Sequence, residues 1–129
     1  MIILDTCAFL WLIQDPKKLS PSALSLLEKD KNLYVVSVTA WEIAIKADSG
    51  RLILVKNLSA EKIFQMALVD FKLHEIPVSS KIFCRAVDLP SIHRDPCDRM
   101  IIAAAIENKC PIITADRIFS RYPRVKIIW

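Results

Sequence analysis

Glycine is almost missing from this chain: Gly50 is the sole one among 129 residues. No segment is of low complexity and none repeats another, which argues against a flexible linker and for one domain over residues 1–129. Paired cysteine spacing is missing too. Cys7, Cys84, Cys97 and Cys110 are scattered with no CxxC, and the two histidines, His74 and His93, stand apart, so no thiolate or imidazole zinc site is expected. The thiols read instead as reduced, small hydrophobes. No apolar run is long: "MIIAAAI" at 100–106 falls far short of the roughly 18 residues a bilayer requires. The opening "MIILD" has no basic stretch ahead of its apolar residues, so neither a signal peptide nor membrane insertion is expected, and the location inferred is cytoplasmic.

What the chain has in quantity is apolar side chain: 53% of its residues are hydrophobic and its mean hydropathy is +0.35. That suits strands buried on both faces, or an apolar patch kept for a partner. The net charge of +4 suits a polyanionic substrate as well as simple solubility.

Short apolar runs alternate with helical patterns along the chain. Strands are expected at "MIIL" (1–4), "LYVVSV" (33–38), "HEIPV" (74–78), "PIIT" (111–114) and "VKIIW" (125–129). Helices are expected at 6–14, 19–31, 39–50, 58–71, 79–90 and 95–109. Strands and helices in alternation point to a mostly parallel sheet covered on both faces, an α/β/α arrangement of Rossmann type. In such sheets, sites gather beyond the carboxyl ends of the strands.

Four acidic residues fall at those ends. Asp5 follows the first strand, Glu42 opens the helix after the second, Asp98 lies in the first turn of the 95–109 helix, and Asp116 follows "PIIT". Together and unpaired they would repel, at a cost of several kcal/mol. A divalent cation removes that cost, and hard oxygen ligands suit Mg²⁺ or Mn²⁺. Each residue also has a purely structural reading. Thr39 and Glu42 have the spacing of a capping box. Asp95-Pro96-Cys97-Asp98 is a good helix start, with Asp95 as N-cap, and Asp5 and Asp116 could likewise be caps. Thr6 and Thr114 are candidate hydroxyl donors to a metal-bound water. Arg94, Arg99 and Arg117 adjoin the acidic positions as candidate phosphate contacts. Lys46 is a fourth candidate, and one turn after Glu42 it also has the spacing of a helical ion pair.

"ILDTCAFLWL", "VSVTAWEIAIK", "LPSIHRDPCDRMIIAAA" and "PIITADRIF", in that order over residues 3–119, resemble the motifs of the PIN-domain family. Within it they resemble the VapC-type toxins of bacterial toxin–antitoxin pairs. The resemblance implies a Rossmann-like sandwich and a Mg²⁺- or Mn²⁺-dependent endoribonuclease leaving 5′-phosphate and 3′-hydroxyl ends. It further implies a cognate antitoxin and a homodimer. By the resemblance, Asp5, Asp98 and Asp116 hold a first metal, with Glu42 completing the site or holding a second. Asp95 belongs to the "HRDP" signature, where it caps the helix that presents Asp98. Phe9, Trp11, Leu12 and Ile13 form a candidate surface for an antitoxin helix, or part of the core. Two readings from other classes stay open: a receiver-type phosphoacceptor domain, for which "ILDT" lacks an adjacent acidic pair, and a non-catalytic RNA- or protein-binding module.

Overall fold

The short β-branched runs pair in one direction throughout. The computed structural model describes residues 1–55 and 58–129, and within them five strands form one parallel sheet in the order β3-β2-β1-β4-β5. The strands are β1 (Ile2–Leu4), β2 (Leu33–Val36), β3 (His74–Ile76), β4 (Ile112–Ile113) and β5 (Ile127–Ile128). Among the described residues six helices connect them: α1 (Thr6–Gln14), α2 (Pro21–Lys29), α3 (Val38–Asp48), α4 (Ala60–Asp70), α5 (Ser80–Asp88) and α6 (Pro96–Asn108). Two 3₁₀ turns, Pro16–Lys18 and Arg117–Arg121, were not expected; each is too short to show a period of its own.

Alternation along each strand sorts side chains between two cores. Ile3, Val36 and Ile112 point to the side covered by α5 and α6. Ile2, Leu4, Val35 and Ile113 point to the side of α1 and α4, where Phe9 and Phe64 lie with ring centroids 5.5 Å apart. Because both faces are covered, the central strands read as continuous apolar runs instead of alternating ones. The same packing explains α6, whose Ile101 to Ala105 are all buried: three successive alanines let the helix backbone come close to its neighbours. Among the described residues no helix is long and apolar enough to cross a membrane, and all four cysteines are free.

Expected boundaries hold within a few residues, and helix starts hold best. Ser20, Ser59 and Ser79 each cap a helix by accepting from the N–H three residues on. The capping box at Thr39 and Glu42 is a correction. α3 begins at Val38, so Thr39 lies inside the helix, buried with its hydroxyl 3.3 Å from that of Thr6. Ser37 precedes the helix without capping it, because its Oγ accepts from the Val78 N–H.

The chain runs outward from β1 through β2 to β3, then returns to the other side of β1 for β4 and β5. The order therefore reverses between β1 and β4. A crevice beyond the carboxyl ends of two such strands is where an open α/β sheet accommodates ligands.

Candidate active site

Asp5 leaves the end of β1 and is 4% exposed. Its carboxylate accepts from the Ala8 N–H at 2.6 Å, so the residue caps α1 while lying in the crevice. Burial pushes its pKa up to about 6; hydrogen bonds from Thr114 and Ala8 oppose this, and the negative charges of Glu42 and Asp116 add to it. Asp98, in the first turn of α6, is pushed up to about 7 by burial. His93 opposes that rise, and Asp95, Glu42 and Asp5 reinforce it. Four segments distant in sequence thus put carboxylates within electrostatic reach of one another.

Glu42 faces in from α3. One oxygen meets Lys46 Nζ at 2.7 Å, while Oε2 is buried with no hydrogen-bond partner among the described residues. An orphaned carboxylate oxygen at this depth costs more than ordinary desolvation unless something positive meets it. Asp116, beyond β4, accepts from the Ile118 N–H at 2.8 Å and starts the second 3₁₀ turn. Its own N–H donates to Thr114 Oγ1 at 3.0 Å, so Thr114 sets the turn that carries Asp116.

His93, which the sequence offered only as an isolated histidine, lies inside this cluster. Its Nε2 is 3.1 Å from Asp116 Oδ2 and 3.2 Å from Asp98 Oδ2. Its Nδ1 accepts from the Asp95 N–H at 3.2 Å, which leaves the ring proton on Nε2, shared between the two carboxylates. The backbone holds the ring there: the His93 N–H donates to Tyr122 Oη at 2.7 Å, and that hydroxyl donates to the Pro90 carbonyl. The sequence signal was the histidine two residues before a capping aspartate; spacing alone does not show that a loop folds it back onto Asp116.

Asp95 caps α6 by accepting from the Cys97 N–H at 2.8 Å. The candidate phosphate contacts fare differently. Arg94 and Arg117 are exposed beside the crevice. Lys46 is paired with Glu42. Arg99 is corrected: its five N–H groups all go to backbone carbonyls, those of Ala86, Val87, Leu89, Pro90 and His93. It therefore has no donor left for a phosphate and instead holds the loop between α5 and α6. Thr6 directs its hydroxyl at Thr39 and ties the start of α1 to α3. Of the apolar quartet in α1, Phe9 and Leu12 are core; Ile13 lines a hollow of about 510 Å³ with Ile53, Val55, Leu58 and Met66.

Among the described residues, no three His, Cys, Asp or Glu side chains already stand as a set able to hold an ion. His93 sits between Asp98 and Asp116, and Lys46 pairs with Glu42. The chemistry of the donors nevertheless fits a hard divalent cation: all are oxygens, Glu42 Oε2 lacks a partner, and two carboxyls are held well above their usual range.

Comparison with known proteins gives consistent results. The family model described as PIN domain matches residues 2–125. Ribonuclease VapC22 of Mycobacterium tuberculosis is 28% identical over 131 residues, covering 99% of this chain and 98% of that protein. The structure of VapBC2 from Rickettsia felis bound to a DNA fragment from its promoter aligns with TM-score 0.69 at 16% identity, over 99% of this chain and 98% of that one. A toxin–antitoxin complex from Klebsiella pneumoniae aligns with TM-score 0.67 at 22% identity, over 97% and 95%. These structural likenesses are likenesses of fold.

Proposed function

The chain belongs to the PIN-domain family, and from that premise we propose that it is the endoribonuclease toxin of a toxin–antitoxin pair. One observation carries the reading. Acidic side chains from four segments converge beyond the ends of β1 and β4, and one carboxylate oxygen, Glu42 Oε2, is buried there without a partner. The 28% identity to Ribonuclease VapC22 along nearly the full length of both chains supports RNA as the substrate.

Asp5, Asp98 and Asp116 would hold Mg²⁺ or Mn²⁺, with Glu42 completing the site or serving a second ion. Bound there, the ion would supply a water of lowered pKa and positive charge against the developing charge on phosphorus-bound oxygens. The chain's own groups do the positioning. Asp5 is fixed by its cap to α1, and Asp116 by Thr114. His93 orients Asp98 and Asp116 through the proton on Nε2. Arg94 and Arg117, exposed at the rim, are the side chains available to meet substrate phosphates. Water, not the RNA's own 2′-hydroxyl, is the nucleophile, so the ends formed are 5′-phosphate and 3′-hydroxyl.

Two apolar surfaces support the protein partners. The hollow bounded by Ile13, Ile53, Val55 and Met66, with Ile53 88% exposed, suits the apolar face of an antitoxin helix. Trp41 and Phe83, also exposed, border a second hollow on α3, α5 and α6 that suits a second copy of this chain.

Purified protein incubated with RNA and Mg²⁺ should yield 5′-phosphate ends and be silent in EDTA. Asp98→Asn should lose at least 100-fold in rate, on the order of removing one charge-stabilising group. Asp95→Ser should keep most of it, because serine also caps. Cyclic 2′,3′-phosphate products, or full activity in EDTA, would overturn the proposal.

A further inference from the structure

The opposite end of the sheet has the opposite charge. β2 is preceded by Lys29 and Lys31, β3 by Lys72, β4 by Lys109, and β5 by Arg124 and Lys126. All six side chains are exposed, and among the described residues none is in an ion pair. Four of the five parallel strands therefore begin next to a free cation. At ~4.8 Å per strand the row is about 19 Å wide.

The row has a stronger half. On the β2–β3 side, Lys29, Lys31 and Lys72 share a hollow of about 440 Å³ with Glu28 and Asp30, which offset much of their charge. On the β4–β5 side, Lys109, Arg124 and Lys126 line a hollow of about 570 Å³ with Ile106, Cys110 and Pro111 and no acidic residue. Lys72, Lys109 and Arg124 also adopt positive φ (52°, 52° and 75°), where glycine or asparagine is the economical choice. One structural reason for the cations is available: α2, α4 and α6 end at this edge, and lysine complements a helix C-terminus. Arg124 and Lys126 follow no α-helix, so that reason does not reach them.

From this placement we infer that the hollow of Lys109, Arg124 and Lys126 is a second binding site for nucleic-acid backbone, gripping RNA remote from the catalytic crevice. This rests on RNA being the substrate. The crevice itself is acidic, and of its nearby cations Lys46 is paired and Arg99 is committed to carbonyls. Arg94 and Arg117 at the rim serve the phosphates next to the crevice, so further grip on a long polyanion must come from elsewhere. Among the described residues this edge gathers three unpaired cations around one hollow with no acidic residue lining it. A long RNA reaches both ends of the sheet; a short one covers the crevice alone.

The test measures binding without cleavage, by fluorescence anisotropy in EDTA, using labelled oligouridylates of about 6 and about 40 nucleotides. The edge variant is Lys109→Asn/Arg124→Asn/Lys126→Gln, asparagine being chosen because it tolerates positive φ. The control, Lys17→Gln/Lys18→Gln/Lys62→Gln, removes the same charge from exposed positions elsewhere. The edge variant should bind the long RNA at least 10-fold more weakly, with the slope of log K against log salt reduced by about 2; cleavage of the short RNA in Mg²⁺, which the crevice holds alone, should be unchanged. In cleavage with Mg²⁺, KM for the long RNA should rise while kcat holds. Equal weakening by the control would reduce the effect to net charge and overturn the inference. A lowered melting temperature with unchanged binding would assign the cations to helix ends and also overturn it. Duplex DNA held more tightly than RNA by the same three residues would overturn RNA as the occupant. Because binding is read in EDTA, loss of nuclease activity and loss of this grip are separate results.

Discussion

Asp5 and Asp98 carry the pH behaviour of the molecule. Their folded pKa values, about 6 and about 7, lie above the 3.8 of a free aspartate, so the folded chain binds protons more tightly than the unfolded one. The stability this contributes is fully present below about pH 4 and is lost as pH rises through 6 and 7. Without a divalent cation, the protein should therefore melt at a lower temperature at pH 8 than at pH 5.5. Asp5→Asn should close part of that gap by raising the midpoint at pH 8, because an amide carries no charge and its oxygen can still accept from Ala8. A shift of two units is worth roughly 2–3 kcal/mol, several degrees in a chain of this size, and differential scanning fluorimetry would read it. A pH-independent midpoint would sink this account. On the proposed mechanism activity runs the other way, since carboxylates that hold an ion must be ionised: it should fall as pH drops from 7 toward 6.

At the scale of elements, the loop between α5 and α6 depends on one side chain. Arg99→Lys keeps the charge but cannot serve five carbonyls, so several lose their donor. The expected cost is about 2 kcal/mol in denaturant midpoint, with faster amide exchange across residues 89–95. Unchanged stability with weakened RNA binding would return Arg99 to the role of phosphate contact. Arg99 also marks where sequence reading stops. The strands, the serine caps and the Asp95-Pro96 helix start were legible because each is set by residues a few positions apart. Asp5, Glu42 and Asp116 were legible as strand-end residues for the same reason. His93 on Asp116, Thr39 on Thr6 and Arg99 on the carbonyls of a preceding loop are contacts that the tertiary fold creates, with no period or spacing to announce them. The 3₁₀ turns went unread because three to five residues display no repeat.

For the whole molecule, the proposed site would link a divalent cation to folding. An ion bound among Asp5, Glu42, Asp98 and Asp116 would relieve the same charge that high pH exposes. Mg²⁺ or Mn²⁺ should therefore raise the melting temperature more at pH 8 than at pH 6. Asp98→Asn should blunt the rise, and excess EDTA should reverse it. Identical curves with and without the ion would count against the carboxylates as its ligands. The two ends of the sheet, acidic at the crevice and basic at the Lys109, Arg124 and Lys126 edge, also bear on handling. Such a molecule is a bar with unlike poles, and unlike poles of separate copies attract. Pole-to-pole contact is heterologous, so it extends into open filaments without closing into a pair. With a Debye length of about 8 Å at physiological ionic strength the attraction is largely screened, whereas at about 30 Å in dilute buffer it is not. Dialysis into low salt is thus the step at which this protein would cloud, and added salt the step that would clear it.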